Sequence, residues 1–165
     1  IHFANKGWFV GLADIDRKGM DETAAQLPKG QSALYDLDVR DAAQWKAALE
    51  GFWKASGGRL DVMFNNAGMS CGAYPDFLDD ALDEFDRVMA VNVKSIYWTA
   101  RHMVPHFRER GGGVFVNVAS TAGIRPREGR GVGSFSGARG GPWGCRLPAE
   151  IRAVPWAPAL EMVAG

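Results

Sequence analysis

The chain is poor in cysteine, has no long apolar run and carries no net charge, and each shortage excludes something. Two cysteines, Cys71 and Cys145, stand far apart in 165 residues and lack the spacing of a metal site. They point to reduced thiols in a cytoplasmic setting rather than to a disulfide-stapled secreted domain. No apolar stretch approaches the roughly 20 residues that a membrane helix needs. The first residues also lack the basic-then-apolar order of an export signal, so neither insertion nor secretion is expected. Nineteen Lys and Arg offset nineteen Asp and Glu, so no overall field draws the protein to nucleic acid or to an anionic membrane. Small molecules or other proteins are the partners left. Hydrophobic residues make up 47% and charged residues 23% of the chain, the balance of one modest globular domain.

Two periods alternate along the chain. Residues 8–13 (WFVGLA) read as a buried strand and 19–26 as a short helix; residues 33–37 are strand-like again. The segment 42–56 is helical with Trp45, Leu49 and Trp53 on one face, and 60–64 is the next strand. From residue 77 towards His106 the apolar positions Leu82, Phe85, Val88, Met89, Val93 and Ile96 recur at helical spacing. Gly111, Gly112 and Gly113 break that pattern before a compact β run at 114–118. Strands that are almost uniformly apolar and alternate with helices predict a doubly wound α/β fold, a parallel sheet covered on both faces.

The strand ends carry the polar residues. Asp14 closes the first strand, Asp38 follows the second, Asn65 and Asn66 follow the third, and Ser120 follows the fourth. In a parallel sheet these ends share one edge, where α/β folds bind nucleotides. Each residue alone also fits a turn or a helix cap. Small residues in FNNAGMS, 64–70, would let a ligand approach the backbone.

Five segments, GWFVGLADID, DLDVRD, FNNAG, VMAVNVKS and VFVNVASTAG, stand in the order and context of the short-chain dehydrogenase/reductase family. The resemblance covers residues 1–126, and what it implies is a Rossmann-like dinucleotide-binding unit that moves hydride between NAD(H) and an alcohol or carbonyl substrate. It implies that Asp14 accepts from the adenosine ribose hydroxyls and favours NAD over NADP. Asp38 with the Val39 backbone would hold the adenine, and Asn65, Ala67 and Gly68 would form a shelf beneath the ribose. Asn92 would anchor a water of the family's proton relay, and Ser120 would hydrogen-bond the substrate oxygen. A homo-oligomer paired partly through the helix from residue 77 is a further implication.

Departures from the family pattern bear on activity. The family opens on a strand and a glycine-rich turn that cradle the pyrophosphate, whereas residues 1–7 (IHFANKG) read as the tail of the helix after them. That first strand sits at the centre of the family's sheet, so two half-sheets facing an empty slot are expected. The string GVGSFSG, 131–137, lacks a strand before it and a helix after it and is expected to be a loop. The family's base is the tyrosine of a Tyr-x-x-x-Lys pair beyond the serine. Here Tyr35, Tyr74 and Tyr97 all precede Ser120, and Lys94 is the last lysine. Phe135 and Arg139 keep the spacing, but Phe135 lacks the hydroxyl that would exchange the proton. Composition also shifts: residues 125–165 hold six arginines and no lysine, with Pro142, Pro148, Pro155 and Pro158 spread through them. Such a tail, 127–165, is expected to be irregular, either out of frame or diverged.

Other constellations are weaker. His102 and His106 lie one helical turn apart without a third ligand, so a solvated helix face is expected and no metal site. Asp79, Asp80, Asp83, Glu84 and Asp86 open a helix, where negative charge suits the macrodipole. Two readings stand: an oxidoreductase of the short-chain family, inactive as this stretch, or a non-catalytic relic of the dinucleotide fold serving as an interaction module.

Overall fold

A computed structural model describes residues 1–69, 82–119 and 160–164. The elements are β1 (Phe9–Asp14), α1 (Arg17–Ala24), β2 (Ser32–Asp36), α2 (Ala42–Ala55), β3 (Val62–Asn65), α3 (Leu82–Met89), α4 (Ser95–Glu109), β4 (Val114–Asn117) and β5 (Leu160–Ala164). A short 3-10 turn, Ala4–Lys6, precedes β1. Each expected strand up to residue 118, and each of the helices expected at 19–26 and 42–56, is present within a few residues of its predicted bounds. Aspartates start two of the helices. Asp16 accepts from Gly19 N at 3.0 Å, and Asp41 accepts from Ala43 N and Gln44 N at 2.8 and 3.1 Å, satisfying donors that have no partner within the helix.

The strands form one sheet in the order β2-β1-β5-β3-β4. β1 pairs with β2 in parallel from Val10↔Ser32 to Asp14↔Asp36, and β3 pairs with β4 in parallel from Val62↔Val114 to Asn65↔Asn117. Side chains alternate between the faces. Val10 and Leu12 join Ala4, Met20 and Leu27 beneath the 3-10 turn and α1. Ala13, Met63 and Met162 join Trp45, Leu49, Phe52, Met103 and Phe107 beneath α2 and α4. Helices on both faces make the fold doubly wound.

The structure differs from the sequence reading at the centre. The expected empty slot between β1 and β3 is filled by β5, antiparallel to both neighbours. The expected irregular tail therefore ends in the middle strand of a mixed sheet. An open slot would leave the facing N–H and C=O groups of β1 and β3 unpaired in the interior, a cost that any short extended apolar segment within reach relieves. Residues 160–164 (LEMVA) are such a segment.

The long helix is also divided. Residues 77–81 lie outside the described residues, and a π-helical turn, Ala90–Lys94, separates α3 from α4. Within this stretch Ser95 Oγ donates to Val91 O and Thr99 Oγ1 donates to Ser95 O.

Candidate functional site at the carboxyl edge of the sheet

Because β1 and β3 both run against β5, the four strands β1 to β4 are parallel to one another, and their carboxyl ends share one edge. Asp14, Asp36, Asn65 and Asn117 are the last residues of those strands. The side chains are held there by short local bonds. Asp14 Oδ1 accepts from Asp16 N at 3.0 Å, and its carbonyl accepts from Leu37 N at 3.0 Å. This is the turn role open to any aspartate at a strand end, and it fixes the carboxylate in place.

Asp38 is more heavily engaged. Its carboxylate accepts from the Arg40 backbone N and Nε, each at 2.9 Å through Oδ1, and from Arg40 Nη2 through Oδ2. Those hydrogen bonds hold the Asp38 carboxyl below its ordinary value despite the opposing effect of burial. Asp38 N donates to Gln44 Oε1 at 2.7 Å. Val39 is buried, and its carbonyl accepts from Trp45 Nε1 at 3.0 Å.

On the other side of β5, Asn65 is buried and its Nδ2 donates to Asn117 Oδ1 at 2.7 Å across the β3–β4 register. Asn65 O accepts from Val118 N at 3.1 Å, so the pairing continues past the end of β4. Ala67 packs against the core beneath α2 and α4, whereas Gly68 is exposed. The chain then meets Asn92, which is buried in the π turn. Met69 N donates to Asn92 Oδ1 at 2.9 Å, and Asn92 Nδ2 donates to Met69 O at 2.8 Å.

Thus Asp14, Asn65 and the Ala67–Gly68 backbone lie along one edge, with Asp38 and Val39 just beyond β2 and Asn92 bound to the segment after Gly68. Ser120, three residues past β4, lies outside the described residues. So do Cys71, Tyr74, the string at 131–137, Phe135 and Arg139. Sequence reasoning missed Asn117, Met69, Asp36, Arg17 and Arg40. Asn117 and Arg40 could have been found, since one closes a strand within a quoted motif and the other stands two residues after Asp38; the others depend on which elements are neighbours.

The expected solvated face of His102 and His106 is corrected. Both are half-buried. The His102 ring stacks on Trp98 at 6.0 Å, the His106 ring lies 5.2 Å from Trp53, and their Nε2 atoms are buried without a hydrogen bond. The cause is packing of α4 beside α2, which turns this face inward. Among the described residues, no three His, Cys, Asp or Glu side chains are grouped to hold a metal.

The family model for short-chain dehydrogenases matches residues 1–138. This chain belongs to the short-chain dehydrogenase/reductase family. It is 42% identical over 110 residues to 4-formylbenzenesulfonate dehydrogenase of Comamonas testosteroni, covering 67% of this chain and 42% of that enzyme. Among solved structures it is similar to 3-ketoacyl-(acyl-carrier-protein) reductase from Brucella melitensis complexed with NADH, with a TM-score of 0.70 and 29% identity over 79% of this chain and 53% of that one. It is also similar to the closed form of serine dehydrogenase complexed with NADP+, with a TM-score of 0.71 and 26% identity over 84% of this chain and 53% of that one. The chain spans less than half the length of the first curated relatives it matches. In open α/β sheets, ligands bind in the crevice outside the carboxyl ends of the strands.

Proposed function

We propose that these residues carry the adenosine-binding part of an NAD(H)-dependent oxidoreductase acting on the alcohol or carbonyl group of a small molecule. One observation carries the reading: a carboxylate fixed at the end of β1, on the same edge as a carboxamide pair and the small residues Ala67 and Gly68. The acceptor chemistry fits a dinucleotide. With Oδ1 held by Asp16, Asp14 offers Oδ2 to ribose hydroxyls, and the small residues admit a sugar against the backbone. Bound there, the nicotinamide would supply or take up the hydride. Asp38 and the Val39 backbone hold the adenine in this reading, Ser120 hydrogen-bonds the reacting oxygen, and Asn92 anchors a relay water. Relatives complexed with NADH and with NADP+ both exist. Asp14 favours NAD here, because a 2′-phosphate would stand against a carboxylate, and Ile15 after it brings no positive charge.

Residues 1–126 form the dinucleotide-binding unit in this proposal, and 127–165 a distinct tail that contributes β5. The exposed apolar side chains Leu82, Phe85 and Tyr97 on α3 and α4 support a homo-oligomer. No described helix is long and apolar enough to cross a membrane, and a cytoplasmic setting is proposed from the sparse cysteines.

A second reading, a non-catalytic relic of the fold or an interaction module, is favoured by the lack of any tyrosine or lysine after Ser120 in these 165 residues. A positioned base typically contributes about 10²- to 10⁴-fold, and nothing adjacent in sequence replaces it. We therefore expect the 165-residue chain to bind 5′-AMP, to lose that binding in Asp14→Ala, and to show no turnover of NAD with a panel of secondary alcohols. Titration calorimetry and a nicotinamide absorbance assay test this. Absence of any nucleotide binding would overturn the adenosine site, and turnover at the family's ordinary rates would overturn the view of the tail.

A further inference from the structure

Asp14 has a charged neighbour on the next strand. Asp36 is its register partner across β1 and β2, which places two carboxylates about one inter-strand spacing, roughly 4.8 Å, apart at the backbone. Arg17, at the start of α1, reaches Asp36. Its Nη1 lies 3.3 Å from Oδ1 and 3.4 Å from Oδ2, and its Nε lies 3.4 Å from Asp21 Oδ1. The Arg17 and Asp36 side chains are 55% and 70% exposed. Solvent screens such a pair, so it holds the arginine only weakly. Between Asp14 and Arg17 stand Ile15, 77% exposed and uncharged, and Asp16, whose carboxylate accepts from Gly19 N.

We propose that Asp36 and Arg17 form a charge latch that sets which adenosine 2′ group this edge accepts. The inference rests on the reading of Asp14 as the ribose acceptor. In the latched state Arg17 is occupied by Asp36 and Asp21, and the carboxylates of Asp14 and Asp36 together oppose a 2′-phosphate, while Asp14 alone accepts the 2′-hydroxyl. Neutralising Asp36 does two things at once. It removes one of the opposing charges and leaves the guanidinium held only through Nε by Asp21, so that its Nη donors are free to turn to a phosphate. Asp36 and Arg17 are thus specificity-determining residues, acting together with the strand-end acid Asp14.

The test uses the whole chain and two probes, 5′-AMP and 2′,5′-ADP, titrated calorimetrically at low salt. Wild type should prefer 5′-AMP. Asp36→Asn, at an exposed position where folding is expected to persist and circular dichroism will check it, should raise affinity for 2′,5′-ADP by about tenfold, the scale of one charge-assisted hydrogen bond. Affinity for 5′-AMP should change little. Adding Arg17→Ala to Asp36→Asn should abolish the gain, and salt should shrink it. An unchanged preference in Asp36→Asn, with 5′-AMP still bound, overturns the latch and leaves the adenosine site standing. A gain that survives in the double variant assigns it to lost repulsion alone and also overturns the latch. If neither nucleotide binds any of the three proteins, the adenosine reading fails and the latch with it.

Discussion

Asn92 turns both halves of its carboxamide towards one residue, accepting from Met69 N at 2.9 Å and donating to Met69 O at 2.8 Å. A backbone strand would offer the same donor and acceptor, so the side chain extends sheet-like pairing to the segment after Gly68. Replacing it by alanine leaves Met69 N–H and C=O without these partners at a half-buried site, where each such loss costs up to about 1–3 kcal/mol. Asn92→Ala should therefore lower stability by about 2 kcal/mol, equivalent to a fall of about 4–8 °C in melting temperature for a domain of this size. Asn92→Asp should be no better, because it keeps the acceptor for Met69 N–H and sets an oxygen against Met69 O. Calorimetric melting checks both, and a variant that melts with wild type would show that the pairing contributes nothing. The residue could be singled out from sequence because an amide has little reason to sit inside a helix. Its partner could not, since Met69 and Asn92 meet only through the path of the chain between β3 and α4.

At the scale of elements, α4 shows which property of a helix is local and which is not. Its period is local: the residues it buries, Ser95, Thr99, Met103 and Phe107, recur at every fourth position. What it packs against is not local. His106 is turned onto Trp53 of α2, and burial pushes its imidazole below the ordinary histidine value. Arg110 adds to that effect, while a hydrogen bond with the Leu60 backbone and the charges of Glu109 and Asp61 oppose it. A histidine whose folded value is lowered contributes stability that is intact above the unfolded value, about 6.5. Below that pH the unfolded chain takes up the proton first, and the contribution is lost as pH falls through the folded value. Denaturant midpoints at pH 8 and pH 5.5 should therefore differ more for wild type than for His106→Phe, which keeps an aromatic ring on Trp53 and removes the titration. Equal pH dependence in the two proteins would remove His106 as the cause. The π turn before α4 was equally hidden, because its residues keep an ordinary helical pattern and only the bonds of Asn92 to Met69 mark the place.

For the molecule as a whole, the most consequential segment is the last. Met162 is fully buried at the centre of the sheet, where its register partners are Gly11 on β1 and Met63 on β3. Gly11 is close-packed on the same side, since a Cβ there would lie 2.6 Å from Phe52 Cδ2 and 3.2 Å from Met162 Cε. Shortening Met162 to alanine should cost about 2–5 kcal/mol, as for other buried large-to-small changes. The expected signature is a lower guanidinium midpoint with an unchanged slope, since the surface exposed on unfolding is nearly the same. A midpoint equal to that of wild type would mean that β5 does not hold the two halves of the sheet together.

Local physics made much of this protein legible beforehand. Period-2 and period-3.6 patterns gave away the strands and helices, turn chemistry gave away the polar strand ends, and five ordered motifs carried the resemblance to the short-chain dehydrogenase/reductase family that the family match over residues 1–138 bears out. Strand order and register lay beyond such reasoning. The pairing of Asn65 with Asn117, the latch of Arg17 on Asp36 and the bonding of Asn92 to Met69 each join residues that no local pattern connects. Residues 160–164 are the extreme case. A short apolar run in a proline-rich tail carries no sign of its partners; its central place follows from the unpaired backbone of β1 and β3 on either side of it, and its antiparallel direction is a property of the tertiary structure alone.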